Sequence, residues 1–288
     1  MAGPAHPRPG RERVSPAGWV GVFLVAALAL VAVAGDRLAG QSFDRQDIAR
    51  ALEGPGSDHW MGTDALGRDV FARTAQGARV SLLVAVGSTA LALGLGVAYG
   101  GIAGLAGPRW DGPMMRAVDV LYALPDVLVI VLLSEALNAT LGVVPDLYRR
   151  LAALVLALGG VGWVGIARLV RGLVLQAREE LWVEAARSVG AGPARLLGRH
   201  ILPNIAGPIL AAAALRVPAA VLAESTVSFI GLGIQPPFAS WGVLAADGFA
   251  AMRSHPYLIA FPSLAIFATL LSFHLLGEGL RERLERAG

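Results

Sequence analysis

Five ionisable side chains, Asp119, Asp126, Glu135, Arg216 and Glu224, fall inside stretches otherwise apolar enough to span a membrane. An ionisable group in hydrocarbon costs about 3 kcal/mol or more, so each position is a functional candidate by default. Arg216 and Glu224 lie eight residues apart, which on a helix means about 80° around the axis and about 12 Å along it. They cannot pair directly, but they can line one water-filled wall. The pathway-lining candidates are Asp119, Asp126, Arg216 and Glu224; a proton relay would need a series of carboxylates and histidines that the sequence does not contain. Catalysis has no comparable support. There is no cysteine, the five histidines never take an HExxH or i, i+4 spacing, and no serine sits in a G-x-S-x-G elbow. No catalytic residue, metal site or resident cofactor is expected. All 24 basic residues are arginine. A phosphate-binding P-loop needs a lysine, so if ATP drives this protein, another subunit holds it.

The elements that position these charges follow from composition. With 55% hydrophobic and 16% charged residues, the chain belongs in a bilayer. A span takes about 20 mostly apolar residues, and six are expected: 17–35, 80–108, 117–137, 151–175, 205–230 and 256–277. Arg8, Arg11 and Arg13 precede the first, and Ala32–Ala34 resembles a cleavage site, but the length of the run favours a retained anchor over a signal peptide. An even span number puts both termini on one side. The N-terminus, the 107–116 turn, the 168–204 segment and the C-terminus hold 14 arginines against nine in the opposite segments, which places both termini in the cytoplasm.

The expected organisation is a cytoplasmic N-terminus and first span over 1–36, an extracytoplasmic segment over 37–79, a bundle over 80–279 and a cytoplasmic tail over 280–288. In the extracytoplasmic segment, "GTDALGRDVFAR" (62–73) reads as a turn followed by a short surface helix with Thr63 or Asp64 as N-cap. In the second span, Gly96, Gly100 and Gly104 recur every fourth residue, a smooth stripe for close helix approach within this subunit or against another.

A polar interruption separates the fourth and fifth spans, "VEAARSVGAGPARLLGRHILPN" (183–204). From Glu179 to Val189 the apolar residues Leu181, Trp182, Ala185 and Val189 gather on one side of a helix, with Glu180, Glu184, Arg187 and Ser188 on the rest. Gly190 suits a left-handed C′ position, Gly192 and Pro193 suit the Ncap and N1 positions of a second short helix, and Pro203 marks the start of the next span. Such a knob is either a hairpin resting on lipid headgroups or a peg that fits a groove in a soluble partner.

The residues of that segment resemble a known family. "EAARSVG" followed by "ILP", with Glu184, Ala185, Ala186, Arg187, Gly190, Leu202 and Pro203, looks like the EAA loop of permease subunits in binding-protein-dependent ABC importers. "RHILPN" (199–204), "ARVSLL" (78–83), "ARLVRG" (167–172), "SFIGLGIQPPFASWG" (228–242) and "LLGEGLRERL" (275–284) are similar to the second permease type of dipeptide, oligopeptide and nickel importers. An Asp-Pro usual near that family's C-terminus is absent, and Asp126 stands where relatives have a small uncharged residue.

The resemblance implies an all-α integral membrane protein, a type I (MetI-like) permease bundle in a bacterial or archaeal plasma membrane. It implies a heterodimer with a second permease subunit, two ABC ATPase subunits that hold ATP and Mg, and an extracytoplasmic substrate-binding protein meeting segments 58–79 and 231–255. Membrane lipid is the remaining partner, and nucleic acid is not one. Residues 177–204 would be the coupling loop, with Glu184 orienting the peg. Peptides are the first-choice substrate, ahead of nickel, glutathione or another small solute. Readings from other classes are a non-transporting scaffold and a stand-alone ion-coupled carrier, both of which would be indifferent to residues 184–190.

Overall fold

The computed structural model describes residues 16–142 and 144–287; the first 15 residues of the N-terminal region expected over 1–36, and the final Gly288, lie outside the described residues. The described residues are helical with turns and one isolated β-bridge, Thr63 to Asp69. The helices are α1 (Pro16–Ala39), α2 (Val70–Leu105), α3 (Pro108–Tyr122), α4 (Asp126–Thr140), α5 (Asp146–Ala177), α6 (Leu181–Ser188), the single turn α7 (Pro193–Arg195), α8 (Leu202–Phe229), α9 (Trp241–Ala250) and α10 (Tyr257–Ala287). Five are long and apolar enough to cross a membrane, or six with the bent pair α3 and α4 counted as one span.

That break corrects the continuous span expected over 117–137: α3 and α4 meet at 89°. Pro125, in extended conformation, caps the start of α4. A proline cannot donate to the preceding turn and pushes the residue before it out of the helical region, so α3 ends where the Leu-Pro pair begins. Two ion pairs strap α3 to α5. Arg171 grips Asp111 with Nε and Nη2, and Arg168 meets Asp119 at 2.6 Å while its guanidinium stacks 4.2 Å over Tyr122.

The second helix also differs from expectation. It begins at Val70, inside the stretch assigned to the extracytoplasmic segment, and its N-cap is Asp69, whose carboxylate accepts from the Ala72 N–H at 2.7 Å. Asp64, expected as a cap, instead holds the turn before it by accepting from the Leu66 and Arg68 N–H groups. With 36 residues, α2 is about 54 Å long, well beyond the roughly 30 Å of hydrocarbon. Its first turns therefore stand above the membrane core.

The most extensive helix pairing is α2 with α5, and the glycine stripe makes it. A Cβ at Gly96 would lie 2.5 Å from Ile166, one at Gly104 2.7 Å from Val174, and one at Gly100 would strike the Ala167 carbonyl. The stripe thus serves packing inside this subunit. Around that pair lie α8, α9 and α10, with α1 on the outside against α10; Trp19, Phe23, Leu30 and Val33 of α1 stay exposed as a lipid-facing side.

Candidate functional site

At one end of the bundle, α6 stands out as a small peg. Its termination is local chemistry: the Gly190 N–H bonds the Arg187 carbonyl at 2.9 Å and the Ala191 N–H bonds the Ala186 carbonyl at 3.0 Å, with Gly190 at φ +88°. This pair of bonds is the Schellman stop, which places its third-from-last and second-following residues in apolar contact; Ala186 and Ala191 are packed in the same cluster. Gly192 then caps Pro193 at N1. The second helix differs from the expected short hairpin partner, because after α7 the chain continues through a π-type turn, Leu196–Ile201, directly into α8.

The faces of α6 decide what the peg can do. Val183 and Ala186 are buried against Ile166, Val170, Val174, Leu196 and Ile201. The stripe seen in the sequence points away from that core: Leu181 is 80% exposed and Val189 86%, with Trp182 partly exposed between them. Of the residues expected to couple, Glu184, Ala185, Arg187, Gly190 and Pro203 face outward, whereas Ala186 and Leu202 pack inward and position the rest. The peg is thus anchored on one face and unpartnered and apolar on the other, with a carboxylate and a guanidinium beside it.

A second feature is a cavity of about 440 Å³ where the α3–α4 elbow meets α5 and α8. Asp126 and Arg216 both line it, together with Tyr122, Leu133, Gly160 and Gly162. Arg216 lies across α5 at Gly162, where any Cβ would collide with the guanidinium. The other two expected pathway residues are elsewhere. Asp119 is committed to Arg168, and Glu224 is fully buried inside the subunit, where Ser81 and Ser228 donate to it at 2.9 and 2.7 Å. Arg216 and Glu224 therefore do not share a wall.

At the opposite end, residues 40–69 form a compact cap. Tyr257 of α10 donates to the carbonyls of Glu53 and Thr63, and buried His59 and Asp69 pair at 2.7 Å. A network unforeseen from the sequence joins this cap to α9: Asp64 receives bonds from Arg68 and Arg73, and Arg73 also approaches Asp247 at 3.5 Å. Burial by itself raises the Asp64 pKa, but the Arg73 charge and the Arg68 and Leu66 hydrogen bonds outweigh it and hold the carboxylate below its ordinary range. Segments 58–79 and 231–255 thus meet in one surface, around a cavity of about 320 Å³ lined by both. The only advance signal was the dense Asp and Arg content of 58–73.

Comparison with known proteins places these features in a family. Residues 96–287 match the model for the binding-protein-dependent transport system inner membrane component. The dipeptide transport system permease protein of Bacillus subtilis (strain 168) is 44% identical over 266 residues, covering 92% of this chain and 80% of that protein. The oligopeptide transport system permease protein of the same strain is 38% identical over 275 residues, 96% of this chain and 87% of that protein. A glutathione transport system permease protein of Pectobacterium atrosepticum is 38% identical over 239 residues, 83% and 76% of the two chains.

Proposed function

From its membership of the binding-protein-dependent transport system inner membrane components, to which the chain belongs, we propose that this protein is a permease subunit of an ATP-driven importer of di- or oligopeptides. It forms half of the translocation pathway, beside a second permease subunit. Two ABC ATPase subunits dock at the α6 end and hold ATP and Mg, for which this lysine-free chain has no P-loop. An extracytoplasmic binding protein delivers substrate to the end formed by residues 40–69 and α9. The arginine excess of the α6 end and both termini assigns that end to the cytoplasm.

The observation that carries the mechanism is the outward apolar stripe of α6. Covering one such Leu or Val side chain in a partner groove contributes about 1.5–3 kcal/mol, and Glu184 and Arg187 alongside set the orientation. Because Val183 and Ala186 bind the opposite face into the core of α5 and α8, a push on the peg by a closing ATPase pair moves those spans with it. The similarity to a glutathione permease supports a second reading of the substrate only, a tripeptide with an unusual linkage.

The test is ATP hydrolysis by the reconstituted complex, stimulated by dipeptide-loaded binding protein, with Glu184→Arg and Val189→Asp compared against wild type. Both variants should insert normally and lose ATPase co-purification and stimulation. Unchanged stimulation in both would reduce the segment to a surface hairpin and remove the coupling mechanism. Uptake of dialanine against glutathione separates the two substrate readings.

A further inference from the structure

The cavity at the α3–α4 elbow holds two opposite charges that the fold brings near each other and leaves open. The Arg216 guanidinium sits in the slot that Gly162 clears on α5. It has no hydrogen bond or ion pair among the described residues, and Asp126 lines the same cavity. Asp126 is exposed as the first residue of α4 and has no hydrogen-bond or ion-pair partner among the described residues. Apart from Tyr122, the rest of the lining is apolar side chain or glycine, among them Leu133, Val161, Gly160 and Gly165.

This arrangement is poorly suited to a structural latch, because a latch closes its ion pair and this one stands open around about 440 Å³. That volume is in the range of about 300–1,000 Å³ typical of small-molecule sites. A simple anion would satisfy the guanidinium and leave the carboxylate, and a metal cation would do the reverse. A small zwitterion satisfies both. Its carboxylate can accept two parallel N–H bonds from Arg216, the strong bidentate geometry, while its ammonium group donates to Asp126. Smooth apolar and glycine walls between the two charges read little of the substrate's side chains.

We propose that Arg216 and Asp126 are a selecting pair for the two free ends of a short peptide as it crosses the membrane. The inference rests on the peptide-import reading. It assigns part of the selectivity to the permease itself, and it gives Asp126 a role in the translocation path.

The experiment uses the complete importer in proteoliposomes, and the readout is peptide taken up per ATP hydrolysed. Dialanine and N-acetyl-dialanine are supplied at matched occupancy of the binding protein. Arg216→Gln should lower dialanine uptake per ATP by about tenfold or more, the size of one lost charged hydrogen bond, and Arg216→Lys should restore part of it. Asp126→Asn, on an exposed helix end where folding is least at risk, should lower dialanine uptake and leave the acetylated peptide nearly unaffected, so that the ratio of the two falls. Equal losses for both peptides in Asp126→Asn, or no loss in either variant, would overturn the proposal. A wild-type importer that takes up neither peptide would instead overturn the peptide reading on which it stands.

Discussion

Ser81 of α2 and Glu224 of α8, 143 residues apart in the chain, are joined by a 2.9 Å hydrogen bond in the sealed interior of the subunit. Ser81 in turn accepts from the Trp241 N–H at the start of α9, so one carboxylate ties three helices. Glu224→Ala leaves the Ser81 and Ser228 hydroxyls without their acceptor and opens a void. It should destabilise the protein by about 2 kcal/mol or more, with Glu224→Gln, which keeps one carbonyl acceptor, losing less. Thermal unfolding of the detergent-solubilised protein is the measurement, and equal midpoints for wild type and the alanine variant would contradict the tie.

The glycines of α2 should differ sharply in tolerance. A Cβ at Gly100 meets the backbone of Ala167 and Arg171, which cannot yield, whereas one at Gly94 meets nothing within 4 Å. Gly100→Ala should cost about 1–3 kcal/mol by forcing α2 and α5 apart, and Gly94→Ala should be neutral. The same unfolding assay decides; equal effects at both positions would deny the stripe its packing role.

Acid should test the cap. Asp64 is held below the ordinary carboxylate range, its burial being outweighed by Arg73 and by hydrogen bonds from Arg68 and Leu66. A depressed folded-state value means the contribution is present above the unfolded value of about 3.9 and is lost as pH falls through the lower folded value. Amide exchange over residues 62–73 should therefore stay slow at pH 4 in wild type and rise below it. Asp64→Asn should raise exchange already at pH 7 and remove that pH dependence. Loss of protection at the same pH in both proteins would show that Asp64 is not the responsible group.

Gly190 and Gly198 both have free space around them, but only Gly190 has positive φ. Alanine at 190 should cost about 1–2 kcal/mol of left-handed strain and weaken ATPase co-purification, while Gly198→Ala should do neither. Equal co-purification of both variants would show that the stop geometry of α6 is dispensable for docking.

The α3 straps differ in strength. Asp111 is gripped through two nitrogens and is 15% exposed, whereas the Arg168–Asp119 pair is solvent-facing with Asp119 62% exposed. Exposed pairs contribute about 0–1 kcal/mol, so Arg171→Ala should loosen α3 more than Arg168→Ala. The chain has no cysteine, and Val118 is the buried residue of α3, so thiol labelling of Val118→Cys reports the release. Faster labelling in the Arg168 variant would reverse the assignment.

Much of the fold was legible because the forces that set it act within a few residues. Long apolar runs can only be spans in lipid, where backbone groups must be satisfied internally, and the stop at Gly190 follows from the conformational freedom of that one residue. The glycine spacing of α2 showed a close approach, though not to which partner. The break at Pro125 was written in the Leu-Pro pair, yet hydropathy summed over 117–137 hid it. At the start of α2, Asp64 and Asp69 were equally good caps by type, and the turn held by Arg68 and Arg73 chose between them.

By itself, then, the sequence determined a bundle of about six spans, a charged peg between the fourth and fifth, and the absence of the lysine that a P-loop needs. Only the tertiary structure decided what each buried charge faces. Arg216 and Glu224 belong to one helix and looked alike as intramembrane charges, but α5 offers Arg216 a glycine slot beside an open cavity, while α2 and α9 close over Glu224 with hydroxyl donors. The same holds for α6, whose apolar stripe was legible in the sequence while the packing of Val183 and Ala186 against α5 and α8 was not. Helical periodicity is set along the chain, but which side of a helix is covered depends on neighbours more than a hundred residues away, and no local rule carries that information.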